Sequence, residues 1–219
     1  AASDVYKRQV LLCSEILIAI YRFLPLLQNR LYMAKLYINK DIVADKDKME
    51  NWYLTGEEGL SFPDIQNFLS WIDPNDHVID IEIHSCGGDA VEGYAIYDAL
   101  RASGKKISCT AVGRCASMAT VILLAAAKER RFAYPHAKFL IHKPYMASYD
   151  GDLDLETLES IKSNLESEKN KMLALYVERT GSEASVIEAQ MNKAGWFGGE
   201  TAKQLGFITT VLMPTTAKG

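Results

Sequence analysis

The chain is short of the residues that most often announce a chemistry. Its four cysteines, Cys13, Cys86, Cys109 and Cys115, form no C-x-x-C pair in 219 residues. That count excludes a disulfide scaffold and fits reduced thiols in a cytosolic, cytoplasmic protein. The four histidines, His77, His84, His136 and His142, stand apart, with no H-x-x-x-H spacing to hold a metal, so no metal site is expected. Positive charge is scarce too: 24 Lys and Arg against 28 Asp and Glu leave a net charge of −4, the wrong sign for a phosphate backbone. Nucleic acid is therefore not an expected partner. No glycine loop of the nucleotide-binding type occurs, and no aspartate follows Asp154. What remains is an ordinary globular balance, 48% hydrophobic and 24% charged, at a length that suits one domain.

The most apolar stretch, Val10 to Leu27, carries Glu15, Arg22 and Pro25. Charges at mid-membrane cost a few kcal/mol each, so a spanning helix, and with it a membrane partner, is not expected. Lys7 and Arg8 precede the run as in a signal peptide, yet no small-x-small cleavage site follows. The opening AASDVYKRQ resembles a translated sequencing-adapter scar, whereas Met33 begins a plausible first strand, MAKLYINKDIV. Residues 1–32 are thus read as a non-native or disposable extension, 33–213 as the domain and 214–219 as a tail.

Within the domain, Lys35 to Val43 alternates as a strand does, and Leu60 to Trp71 carries a helical stripe with Ser61 and Pro63 as start signals. His77 to His84 reads as a strand, Ser85 to Asp89 as a glycine turn and Ala90 to Ala102 as a helix. The unit then repeats: strand Lys106 to Val112, small-residue turn Gly113 to Ala116, helix Ser117 to Ala127. Further strands are expected at Arg130 to Tyr134, Lys138 to His142 and Phe207 to Leu212. A long helix is expected over Leu153 to Arg179, either packed on the domain or projecting toward another subunit, and a shorter one from Ala184. Strands alternating with helices imply an α/β fold with a mostly parallel sheet.

Ser117 falls at the second strand-to-helix turn, flanked by Ala116 and Ala119, whose small side chains let a substrate backbone approach. A serine there is commonly just a helix N-cap. His142 closes a strand that can reach the same sheet edge, and the Gly87-Gly88 turn offers backbone N–H groups at a helix start. Together these supply a nucleophile, a base and an oxyanion site.

With those residues in view, the sequence resembles the Clp protease proteolytic-subunit family of serine peptidases, and within it the shorter phage-encoded, head-maturation members. The resemblance spans about Met33 to Leu212 and rests on Ser85-Cys86-Gly87-Gly88, on Tyr97-Asp98, on Cys115-Ala116-Ser117-Met118-Ala119, on Phe139-Leu140-Ile141-His142-Lys143-Pro144, and on Gly206-Phe207-Ile208. It implies the Clp protease/crotonase-like fold, with Ser117 as nucleophile, His142 as general base and the N–H groups of Gly88 and Met118 as the oxyanion hole. It implies no cofactor, a polypeptide substrate, homo-oligomeric rings, and either an ATP-driven unfoldase or phage capsid proteins as partners. Two departures stand out. Cys86 replaces the proline usual before the glycine pair, and the acid that should orient the histidine falls at Ala194, which has no carboxylate. Glu188, Glu200 and Asn192 are the candidate substitutes, and slow acylation is expected, improved tenfold or more by Ala194→Asp or Ala194→Glu. The alternatives are a catalytically impaired ring subunit and a crotonase-like acyl-CoA enzyme.

Overall fold

A computed structural model describes residues 33–146, 149 and 151–213; the readings made for residues 1–32 and 214–219 lie outside the described residues. The first strand, β1 (Met33–Ile38), buries Leu36 and Ile38 and is shorter than its alternation predicts. After Ile38 the chain leaves the sheet, and Ile42 makes isolated bridges to Leu60 and Gly88. An unexpected helix follows, α1 (Lys48–Thr55), ended by Gly56 in the left-handed region. The next helix, α2 (Phe62–Trp71), starts at Ser61 through a capping box with Asp64, to which Lys48 donates at 2.6 Å.

The strand β2 (Val78–Ser85) buries Ile79, Ile81 and Ile83 in the alternation its sequence predicts. It leads through the glycine turn into α3 (Ala90–Ala102), where Asp89 caps by accepting from the Glu92 N–H at 2.9 Å. β3 (Lys106–Ala116) runs four residues past its expected end. Residues 114–116, expected to be a turn, pair with a strand further along the chain, and a register shift after Ile83 accommodates the extra length.

The helix after Ser117 is also shorter than expected: α4 (Met118–Leu123) stops six residues in, although its apolar run continues to Ala127. Two guanidinium groups explain the stop. Arg179 donates to the Leu124 and Ala126 carbonyls at 3.0 and 2.9 Å, and Arg131 donates to Ala126 at 2.9 Å. Carbonyls held this way do not continue a helical ladder, and the last turns tighten to i→i+3 bonds. Burial pulls the Arg131 guanidinium down to about 10, which still leaves it charged at neutral pH.

The remaining elements are β4 (Arg131–Ala133), β5 (Lys138–Leu140), α5 (Leu155–Thr180), α6 (Ala184–Lys193), β6 (Phe197–Gly198), α7 (Gly199–Gln204) and β7 (Thr210–Val211). β5 ends at Leu140, so His142 lies two residues beyond the strand rather than on it. The expected strand from Phe207 shrinks to two residues because Phe207 and Ile208 turn into the core. In α5 the expected apolar stripe is divided: Met172 and Tyr176 are buried, while Leu155 and Leu158 are 80% and 48% exposed. Its N-terminal half therefore carries apolar side chains that the described residues do not cover.

The sheet runs β1-β2-β3-β4-β7, with β5 pairing to β3 and to β6. Pairs β2–β3, β3–β4, β3–β5 and β4–β7 are parallel, and β5–β6 is antiparallel. The length of β3 positions the site. Its first part pairs with β4 at Cys109 to Ala111 and its last part with β5 at Arg114 to Ala116, so its end is delivered next to β5.

Candidate active site

Ser117 follows directly on β3 and has φ 51° and ψ −126°. A non-glycine residue held there costs on the order of 1–3 kcal/mol, and it persists because the surroundings fix its backbone. The Ser117 N–H donates to the Leu140 carbonyl of β5 at 2.8 Å. Its carbonyl accepts from the Thr120 N–H at 2.9 Å and from the Thr120 hydroxyl at 2.6 Å. Thr120 is itself joined to the Tyr176 hydroxyl at 2.7 Å, in a fully buried pair that ties the turn to α5. The Ser117 hydroxyl makes no capping bond to α4. Its main chain is thus clamped while its Oγ is left for other chemistry, which removes the N-cap reading.

The Gly87-Gly88 turn packs against this junction. A Cβ at Gly87 would lie 2.7 Å from the Met118 nitrogen and 2.8 Å from the Ser117 Cβ. One at Gly88, where φ is 142°, would lie 2.0 Å from the Ile42 carbonyl oxygen. Glycine is required at both positions by contact as well as by dihedral. The turn keeps its shape without the proline: the Ser85 hydroxyl accepts from the Gly87 N–H at 3.0 Å, and the Gly87 carbonyl accepts from Ile42 at 2.8 Å. Among the described residues no acceptor takes the N–H of Gly88 or of Met118.

Ser117, Met118, Gly87, Gly88 and His142 line one cleft of about 760 Å³. Pairing of Ala116 with Leu140, and the Ser117–Leu140 bond, bring His142 to the serine's side two residues later. Its ring is half-buried, lies 5.5 Å from the Tyr145 ring, and has Nδ1 2.6 Å from the Lys143 carbonyl oxygen. The described lining holds four carboxylates, of Asp41, Asp47, Glu50 and Asp89, and no Lys or Arg, a field that disfavours acidic peptides. Glu50, Asn51 and Leu54 come from α1, with Asp47 just before it, a helix that residue spacing did not reveal; the left-handed Gly56 that ends it was the available signal.

Ala194 is the left-handed C-cap of α6, exposed, with φ 46° and ψ 36°. The substitutes fare differently. Glu188 is engaged by the Lys169 ammonium, whose hydrogen bond and charge hold its carboxyl below the usual range, with a smaller contribution from Lys143. Glu200 and Asn192 are exposed on α7 and α6. No side-chain hydrogen bond joins any of the three to His142 among the described residues. Burial pushes the Cys109 thiol up to about 12 and raises Cys115 as well, so both are unreactive core groups.

An α/β scaffold that presents a strained serine at a strand-to-helix turn, beside free N–H groups and a histidine, is built in the manner of serine hydrolases. Comparison with known proteins agrees. The model of the Clp protease family matches residues 64–215. The ATP-dependent Clp protease proteolytic subunit 1 of Chlamydia abortus is 30% identical over 149 residues, covering 66% of this chain and 74% of the relative. The subunit of the same name from Chlamydia caviae is 31% identical over 134 residues, covering 59% and 68%. Among solved structures, a mutant ClpP1 from Listeria monocytogenes superposes with a TM-score of 0.66 at 20% identity, covering 88% of this chain and 96% of that one. The chain belongs to the Clp protease family, a family of serine hydrolases, and has its fold. Among the described residues no helix is long and apolar enough to cross a membrane.

Proposed function

We propose that this protein is a serine endopeptidase that cleaves polypeptides through an acyl-enzyme on Ser117. The observation that carries the reading is the Ser117 junction: its main chain is clamped in a strained conformation, yet its hydroxyl caps nothing and opens on the cleft that His142 also lines. In the reaction the imidazole takes the Ser117 proton as Oγ attacks the scissile carbonyl. The N–H groups of Gly88 and Met118 receive the oxyanion, the imidazolium returns its proton to the leaving amine, and water releases the acyl group by the same route. No step calls for a cofactor.

The absence of a carboxylate at Ala194 makes turnover slow. Ring assembly uses the uncovered N-terminal half of α5, and the setting is phage capsid or scaffold maturation, or Clp-like degradation in the cytoplasm with an ATP-driven unfoldase. Cleavage of a fluorogenic casein tests the activity: the full chain should digest it and Ser117→Ala should not, and equal digestion by both would end the assignment. Light scattering should give a mass several times 24.4 kDa, and a monomer at micromolar concentration would contradict the ring.

A further inference from the structure

We infer that the main-chain carbonyl of Lys143 orients His142, in the role a triad carboxylate would otherwise fill; the inference rests on the peptidase reading above. The Lys143 oxygen lies 2.6 Å from Nδ1 of the imidazole, and among the described residues no other donor shares it. A peptide carbonyl can only accept, so Nδ1 carries the proton. Nε2 is then left with its lone pair, the form a general base for Ser117 needs.

This fixes the first thing a triad acid supplies, the tautomer. A side-chain amide does not guarantee it, because it can turn either oxygen or nitrogen to the ring. In a serine peptidase whose aspartate becomes asparagine the wrong tautomer accounts for a loss of about 10⁴ in kcat. A backbone oxygen has no such second face.

The local sequence holds the oxygen in place. Pro144 has no N–H and restricts the preceding residue to extended backbone, which limits the directions the Lys143 carbonyl can take. The Tyr145 ring packs near the imidazole and limits its rotation. Meanwhile the Lys143 ammonium acts on Glu188, which Lys169 already engages, so that carboxylate is held by lysines rather than by the histidine.

During acylation the Ser117 Oγ–H bond breaks, its proton passes to Nε2, and the Oγ–carbon bond forms as the carbonyl π pair moves to oxygen; the C–N bond breaks when that pair returns. Nδ1–H stays on the Lys143 oxygen throughout. The imidazolium is then returned to neutrality when Nε2–H protonates the leaving nitrogen. A neutral acceptor stabilises that imidazolium less than a carboxylate does, so acylation through it should be slow.

The test is ¹⁵N NMR of the full chain labelled at histidine, well above the ordinary histidine pKa, with the His142 signals assigned by difference against His142→Gln. The expected spectrum shows a protonated Nδ1 and a bare Nε2, unchanged in Glu188→Gln. Pro144→Ala should mix the two tautomers and slow phosphonate labelling of Ser117 by about tenfold, while Glu188→Gln, Glu200→Gln and Asn192→Ala should stay within about twofold of the parent. A protonated Nε2, or a Nδ1–H signature lost in Glu188→Gln, overturns the inference while Ser117 labelling leaves the peptidase reading standing. A protonated Nδ1 on a protein whose Ser117 is never labelled does the reverse: the hydrogen bond exists, and the peptidase reading, with the role drawn from it, fails.

Discussion

Ser117 and Ala194 are the two non-glycine residues that the described structure holds at positive φ, and they are opposites in every other respect. Ser117 sits at the start of a helix, half-buried on a cleft, with its N–H, its carbonyl and the neighbouring Thr120–Tyr176 pair all fixing its position. Ala194 sits at the end of a helix and is exposed, its N–H closing the last turn onto Gln190 at 3.2 Å. The first conformation lies outside the left-handed helical well and needs many contacts to survive. The second lies inside that well, where helices commonly end and where glycine, asparagine and aspartate are at home. At Ser117 the strain coincides with a hydroxyl that its own helix does not use. At Ala194 the backbone keeps a shape that suits an aspartate, but the carboxylate is missing.

Substitutions at the two positions should separate these meanings. The largest effect belongs to Ser117→Gly, which removes the proposed nucleophile and the strain together. Peptidase turnover should fall by a factor of about 10³ or more, while chemical denaturation shows the variant more stable by roughly 1 kcal/mol. A destabilised Ser117→Gly would mean that the junction is not strained. Next in size is Ala194→Asp, which restores a carboxylate in a backbone conformation that accepts it. Acylation should rise about tenfold, roughly 1.4 kcal/mol of barrier, since the Lys143 carbonyl already sets the tautomer and the added charge has only the imidazolium left to stabilise. No gain would place the carboxylate out of reach of His142. The smallest effect is expected for Ala194→Gly: about 1 kcal/mol of added stability from relief of the left-handed alanine, with acylation unchanged. A loss of acylation there would give the Ala194 methyl a role that nothing in its surroundings suggests.

The same contrast marks what could be read from residue types. Side chains in regular patterns were legible: the alternation of β2, the bounds of α3, the helix start at Ser61, and the serine and histidine that motifs bring to one sheet edge. What escaped was decided by the main chain. α4 is short where Arg131 and Arg179 take the Leu124 and Ala126 carbonyls that follow it, and β3 runs on because residues 114–116 find a partner in β5. α1 has an apolar face left exposed at Met49, Trp52 and Tyr53, so its pattern does not point to a core. The oxygen on His142 belongs to a peptide bond and is invisible to any search for a missing acid. Gly88 shows the intermediate case. Its place in the turn marked it as an N–H donor, but only the clash of a hypothetical Cβ with the Ile42 carbonyl shows why it must be glycine.

The central claim is that the Ser117 hydroxyl, left free by its own helix, is the group that becomes acylated. Treating the native full chain with a serine-directed fluorophosphonate and mapping the adduct by mass spectrometry tests it directly. The account predicts one adduct, on Ser117, formed slowly and lost when the protein is denatured before treatment. An adduct on a different serine, or equal labelling of the native and the denatured chain, would contradict it.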